Sequence, residues 1–152
     1  MKKLFITGLL VVLFSALMNA QNYTAAAGLG LDLFSGATLV GPSGKYFFSE
    51  QNAVQAEIMF ESGLTAITGL YEYHSNFEGA EGLQWFAGAG PSILFLSSGL
   101  GTEIALRPTA GLDYKINGAP LAVSFDWRPF IGFGDLSNEI GAFGIGIRYV
   151  IE

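Results

Sequence analysis

Between Glu103 and Lys115 the chain changes character at every residue. Ile104, Leu106, Pro108, Ala110, Leu112 and Tyr114 hold one parity; Glu103, Ala105, Arg107, Thr109, Gly111, Asp113 and Lys115 hold the other. Successive side chains of a β-strand point to opposite faces, so this segment has one apolar face and one polar, charged face. A helix of 3.6 residues per turn would scatter both sets around its surface. The chain must therefore bury one of two opposed sheet faces, and which face it buries decides the kind of protein.

The same period recurs along the chain. Leu121, Val123, Phe125, Trp127, Pro129, Ile131 and Phe133 alternate with Ala122, Ser124, Asp126, Arg128, Phe130 and Gly132, where only Phe130 breaks the small or polar set. Phe143, Ile145, Ile147, Tyr149 and Ile151 alternate with Ala142, Gly144, Gly146, Arg148 and Val150. Tyr23 to Leu33 and Val54 to Glu61 behave alike, Leu64–Tyr73 and Leu83–Leu96 are noisier, and Thr38–Phe48, interrupted by Pro42 and Gly44, is the weakest. Clusters of Gly, Ser, Asn and Pro separate these segments at Ser35-Gly36, Ser49–Asn52, Ser62-Gly63, Ser75–Gly82, Ser97–Thr102, Asn117–Pro120 and Gly134–Ile140. Asn117-Gly118 is a hairpin signal. Seven connections between antiparallel neighbours predict eight strands in a meander.

The N-terminus sets the compartment. Lys2 and Lys3 precede an apolar run from Leu4 to Leu17, followed by Asn19, Ala20 and Gln21. A basic start, a short apolar stretch and a small-residue exit predict a secretory signal over residues 1–20, with the domain at 21–152. The mature part then carries 13 acidic and 5 basic residues, a net −8, which leaves no electrostatic footprint for nucleic acid. There is no Cys, hence no disulfide and no thiolate metal site. Hydrophobic residues make up 51% and charged residues 13%, yet no mature segment is apolar for long enough to span a bilayer as a helix. Apolar side chains dispersed in this way either form an unusually apolar soluble β-core or face lipid.

Three features predict that the apolar parity faces outward. The polar parity is mostly small, which suits the narrow interior of an eight-stranded barrel. Aromatics gather at one end of the strands: Tyr23, Tyr46, Phe47, Phe48, Tyr71, Tyr73, Trp85, Phe86, Tyr114 and Tyr149. Tyr and Trp favour a membrane interface, and Tyr23, Phe48, Tyr73, Trp85, Tyr114 and Tyr149 are the expected aromatic girdle. Strands of about 9–13 residues match tilted bilayer-crossing strands, and a closed barrel pairs all its backbone groups internally. The expected fold is all-β, an eight-stranded antiparallel up-and-down transmembrane β-barrel.

With its signal segment, eight strands and closing stretch Phe143-Gly-Ile-Gly-Ile-Arg-Tyr149, the chain resembles the small outer-membrane β-barrel families. The resemblance is nearest to members found in Bacteroidota and, in architecture, to the OmpA transmembrane domain and OmpX. Gly44-Lys-Tyr-Phe-Phe48 and Gly69-Leu-Tyr-Glu-Tyr73 are further family-like stretches. It implies an outer-membrane location, contact with outer-membrane lipid, and insertion by the barrel-assembly machinery. Many such barrels end in an aromatic residue, whereas this chain ends Tyr149-Val-Ile-Glu152.

The inward parity carries the candidate site: Asp32, Lys45, Glu57, Glu61, Glu72, Glu103, Arg107, Asp113, Lys115, Asp126, Arg128 and Arg148. Charges in a narrow lumen must be paired or hydrated, so they form either a salt-bridge plug or a narrow ion path, and the plug is the expected reading. His74, the single histidine, is expected at an interface or turn, since neighbouring Ser75 points the other way and makes no dyad. Gly28-Leu-Gly30 and Gly88-Ala-Gly90 lie in strands with no following helix and make no phosphate loop. No metal, cofactor or catalytic residue is expected. The outward loops are short, and the Ser75–Gly82 turn, with Glu78 and Glu81, should lie on the periplasmic side. The expectation is a monomeric, non-enzymatic barrel with a structural or partner-binding role. A narrow pore and a soluble lipocalin-like carrier of apolar ligands are the alternatives.

Overall fold

The computed structural model describes residues 23–99 and 101–151, so the predicted signal segment lies outside the described residues. The β-prone segments fold into β1 (Ala25–Phe34), β2 (Ala37–Phe47), β3 (Asn52–Glu61), β4 (Leu64–Asn76), β5 (Leu83–Leu96), β6 (Gly101–Lys115), β7 (Leu121–Trp127), β8 (Ile131–Gly132) and β9 (Phe143–Ile151). Consecutive strands from β1 to β7 pair antiparallel, β8 pairs with β6, and β9 pairs with both β7 and β1, which closes the sheet into a barrel. β7 and β8 are two parts of one wall strand. Ala110 opposes Trp127 and Leu106 opposes Ile131, so both parts share one register on β6. The architecture is thus a closed eight-stranded antiparallel barrel.

Prolines account for the gaps in the wall. The shared register sets Pro108 opposite Pro129, and neither brings an N–H to the ladder, so pairing lapses between Trp127 and Ile131. The segment around Pro42 is a regular strand despite its interruptions. Pro42 pairs with Leu29 on β1, while pairing to β3 lapses locally between Val40 and Ser43. Two of the hairpins are as tight as their sequences suggest. Gly36 and Gly63 take φ values of 93° and 75°, a conformation that penalises any side chain. β4 runs further than expected, through Ser75 to Asn76.

Two rims follow from the topology. The near rim holds the start of β1, the end of β9 and the turns after β2, β4 and β6. The far rim holds the hairpins after β1, β3 and β5 and the loop of residues 133–142. Trp127 Nε1 donates to the Ile140 carbonyl at 2.7 Å, and Phe130 pairs with Glu139, so this loop is folded against the wall.

Outward positions are apolar and exposed: Leu29, Val54, Ile58, Phe60, Ile67, Ile93, Phe95, Ile104, Phe125 and Ile147 among them. Inward positions are small, polar or charged through the middle of the lumen. Most of the buried apolar residues fall into two separate clusters. Tyr23, Ala26, Phe47, Ala53, Ala122 and Val150 close the near rim. Leu39, Met59, Ala66, Leu94, Ala105 and Phe130, with Phe34 and Leu136 against them, close the far rim. Phe130, which breaks the polar parity of its strand, is therefore a stopper.

Candidate functional site: the charged lumen

Between the two apolar clusters lies a polar column, built from strand positions of one parity. Next to the near rim, Lys45 of β2 sits between Glu72 of β4 at 2.7 Å and Asp113 of β6 at 2.9 Å. The Tyr23 hydroxyl donates to Asp113 at 2.9 Å. His74 is 0% exposed, with Nε2 at 2.9 Å from the same Glu72 oxygen that Lys45 holds. Its ring stacks on Phe86 and meets the edge of Phe47. Glu72 Oε1 and His74 Nδ1 have no protein partner.

Halfway along, Arg148 of β9 donates to Ser43 Oγ at 3.0 Å, Ser124 Oγ at 2.9 Å and Gln55 Oε1 at 2.8 Å. Glu57 accepts from Ser43 and Gln55, each at 2.9 Å, and pairs with Arg128 through its other oxygen. Arg128 also grips Asp126 with Nε and Nη2, while Thr109 donates to the same carboxylate at 2.9 Å. Towards the far rim, Arg107 binds Asp32 through two bonds of 2.8 and 2.9 Å. The Arg107 guanidinium also donates to the Arg128 carbonyl at 3.0 Å, next to the proline gap, and lies over the Phe34 ring.

Glycine makes this column possible. On β9, Gly144 and Gly146 face inward, and a Cβ at Gly144 would overlap the Arg128 guanidinium. A Cβ at Gly146 would fall 2.6 Å from Ser124 Oγ and 2.7 Å from Arg148. The Phe-Gly-Ile-Gly-Ile pattern therefore vacates the space that two arginines fill. Desolvating this many charges is costly, and the partners return that cost only because nearly every donor and acceptor is used.

The structure brings Asp32, Lys45, Glu57, Glu72, Arg107, Asp113, Asp126, Arg128 and Arg148 into these contacts. Three predicted lumen residues stand apart. Glu103 is buried, against Gly134, and joins none of those ion pairs. Glu61 lies at the far-rim end of β3, where the strand leaves the lumen, and is exposed. Lys115, at the end of β6, is half-buried at the near rim.

One girdle assignment needs correction, and two more of the aromatics gathered at this end lie inside the barrel. Tyr23 is 4% exposed, because its chain turns inward just ahead of β1 to reach Asp113. Phe47 and Phe86 occupy inward positions of β2 and β5 and wall in His74. Phe48, Tyr73, Trp85, Tyr114 and Tyr149 stand exposed at the near rim. His74 is likewise internal rather than interfacial. Glu72 and His74 are two apart on one strand and so share a face, which was the available signal for pairing them. Ser43, Gln55, Thr109 and Ser124 also belong to the column, and strand parity alone places them there.

No family model matches the chain, and no curated protein matches it. Among solved structures it is similar to the N-terminal β-barrel domain of Pseudomonas aeruginosa OprF, with a TM-score of 0.60 and 17% sequence identity. The match covers 85% of this chain and 100% of that one. At that identity the likeness speaks for the fold, a small closed barrel of the same architecture.

Proposed function

We propose that this chain is an integral outer-membrane barrel of the OmpA-like kind, of the type found in Bacteroidota, with a non-enzymatic envelope or partner-binding role. The observation that carries the reading is the polarity of the wall: charges and small residues inside, large apolar side chains outside. A soluble carrier of apolar ligands needs the reverse arrangement. On β5 the outward row from Trp85 to Phe95 spans about 25 Å along the barrel axis at the usual strand tilt, the height of an outer-membrane apolar band. The exposed Tyr and Trp rings of the near rim are suited to a headgroup layer. Likeness to the OprF barrel domain supports the same reading.

We read the lumen as closed. The polar column and the two apolar clusters leave side chains across the bore at every level, which favours a plug over a narrow pore. Heat-modifiable migration in detergent gels, together with fractionation into the outer membrane, is the expected behaviour; recovery in the soluble periplasmic fraction would refute the membrane reading. In planar bilayers the protein is expected to give a silent baseline. Reproducible conductance steps that disappear on substituting Arg128 or Glu57 would replace the plug with a pore.

A further inference from the structure

Among the described residues, the basic side chains Lys45, Arg107, Arg128 and Arg148 are buried in the lumen and paired there. Lys115 is the exception. It is half-buried at the near rim, makes none of the ion pairs found in the barrel, and lines an open groove of about 480 Å³ with Gly118, Ala119, Pro120, Tyr149, Val150 and Ile151. The groove is held by backbone: Val150 N donates to the Pro120 carbonyl and Ile116 N to the Leu121 carbonyl, each at 2.8 Å, and Gly118 turns with φ 77°. One side of the groove is therefore cationic. The other continues onto the outer wall through Tyr149 and Ile151, which are 58% and 51% exposed.

We propose that this groove binds the phosphate of an anionic phospholipid headgroup, with Lys115 as its counter-ion and an acyl chain lying along Tyr149 and Ile151. The inference rests on the membrane reading, which sets the near rim and its tyrosines at headgroup height. A basic side chain at that level attracts anionic lipid, and Lys115 shares its groove with Tyr149, Val150 and Ile151. Glu78 and Glu81 stand on the adjacent turn, which is joined to β6 by the Lys115 N–H donating to the Gly82 carbonyl. That acidic neighbourhood opposes a broad anionic film, so Lys115 is the point at which a phosphate can be held.

The test is native mass spectrometry of the refolded barrel titrated with short-chain phosphatidylglycerol, phosphatidylcholine or inorganic phosphate. The wild type is expected to retain phosphatidylglycerol about fivefold more than Lys115→Gln, the effect of one lysine at an anionic lipid surface. Lys115→Arg should restore retention, and Glu61→Gln at the far rim should leave it unchanged. Equal retention by wild type and Lys115→Gln overturns the proposal, as does displacement of the lipid by millimolar inorganic phosphate. Insertion into vesicles is scored in parallel by heat-modifiable migration. A chain that fails to insert sinks the membrane reading with it, whereas an inserted barrel without the Lys115 effect sinks the headgroup site alone.

Discussion

Arg107 and Asp32 meet end to end across the lumen, Nη1 on Oδ2 and Nη2 on Oδ1, although 75 residues separate them in the chain. Such a bidentate pair is geometrically specific and fully desolvated. Its worth is seen by breaking it: Arg107→Met leaves the Asp32 carboxylate buried without its cation. The expected loss is about 3–5 kcal/mol, measured by urea unfolding of the barrel in lipid vesicles. Arg107→Met combined with Asp32→Leu should recover much of that loss. A double variant no more stable than the single one would show that the two residues are uncoupled.

Gly144 provides a second test of the packed column. In Gly144→Ala the new methyl displaces the Arg128 guanidinium from Asp126 and Glu57, at an expected cost of about 1–3 kcal/mol. Gly69 faces outward, and a Cβ added there would meet nothing within 4 Å, so Gly69→Ala should change stability by less than about 0.5 kcal/mol. Equal unfolding midpoints for the two variants would contradict the packing described for β9.

Tyr23 and Tyr149 should respond differently to loss of the hydroxyl. Tyr23→Phe removes a buried bond to the Asp113 carboxylate and is expected to cost about 1.5–3 kcal/mol, whereas Tyr149→Phe, on the exposed wall, should be close to neutral. Thermal or urea midpoints of the two variants decide whether the inward placement of Tyr23 is right.

The two tryptophans report on the outer face. Trp85 and Trp127 are both exposed on the wall, Trp85 near the near rim and Trp127 beside the far-rim loop. In single-tryptophan variants, Trp85→Phe and Trp127→Phe, the remaining indole should emit at short wavelength in vesicles and be quenched by brominated acyl chains. Quenching by aqueous acrylamide with no effect of brominated lipid would place the wall in water.

Much of the barrel was legible because one physical rule, the two-residue period, operates on nearly every strand. Glu103 to Lys115 shows it without a break, and the arginines of the column all sit at the parity it assigns. Parity carries no information where the strand ends, which is why Glu61 and Lys115 part from the lumen at the rims. It also says nothing about chain ahead of a strand, so the inward turn of Tyr23 has no sequence signal. Aromatic character misleads in a different way. Phe47 and Phe86 resemble girdle residues by type, yet their positions put them inside, packed on a histidine whose partner Glu72 is two residues away. The break between β7 and β8 depends on Pro129 meeting Pro108, a juxtaposition fixed by the register and by neither residue alone.

That facing pair leaves the wall of the cylinder locally short of backbone bonds. Pro42 and Pro91 each lie at a two-residue lapse in one ladder, but the lapse at Pro108 and Pro129 is longer, covering residues 107–109 of β6. With three successive rungs missing, a local opening of the wall there has no ladder bonds to break. The side chain that bridges it is Arg107, which takes up the Arg128 carbonyl from across the gap. One guanidinium thus neutralises Asp32 and latches the staves, so the electrostatics of the bore and the mechanical integrity of the wall fail together.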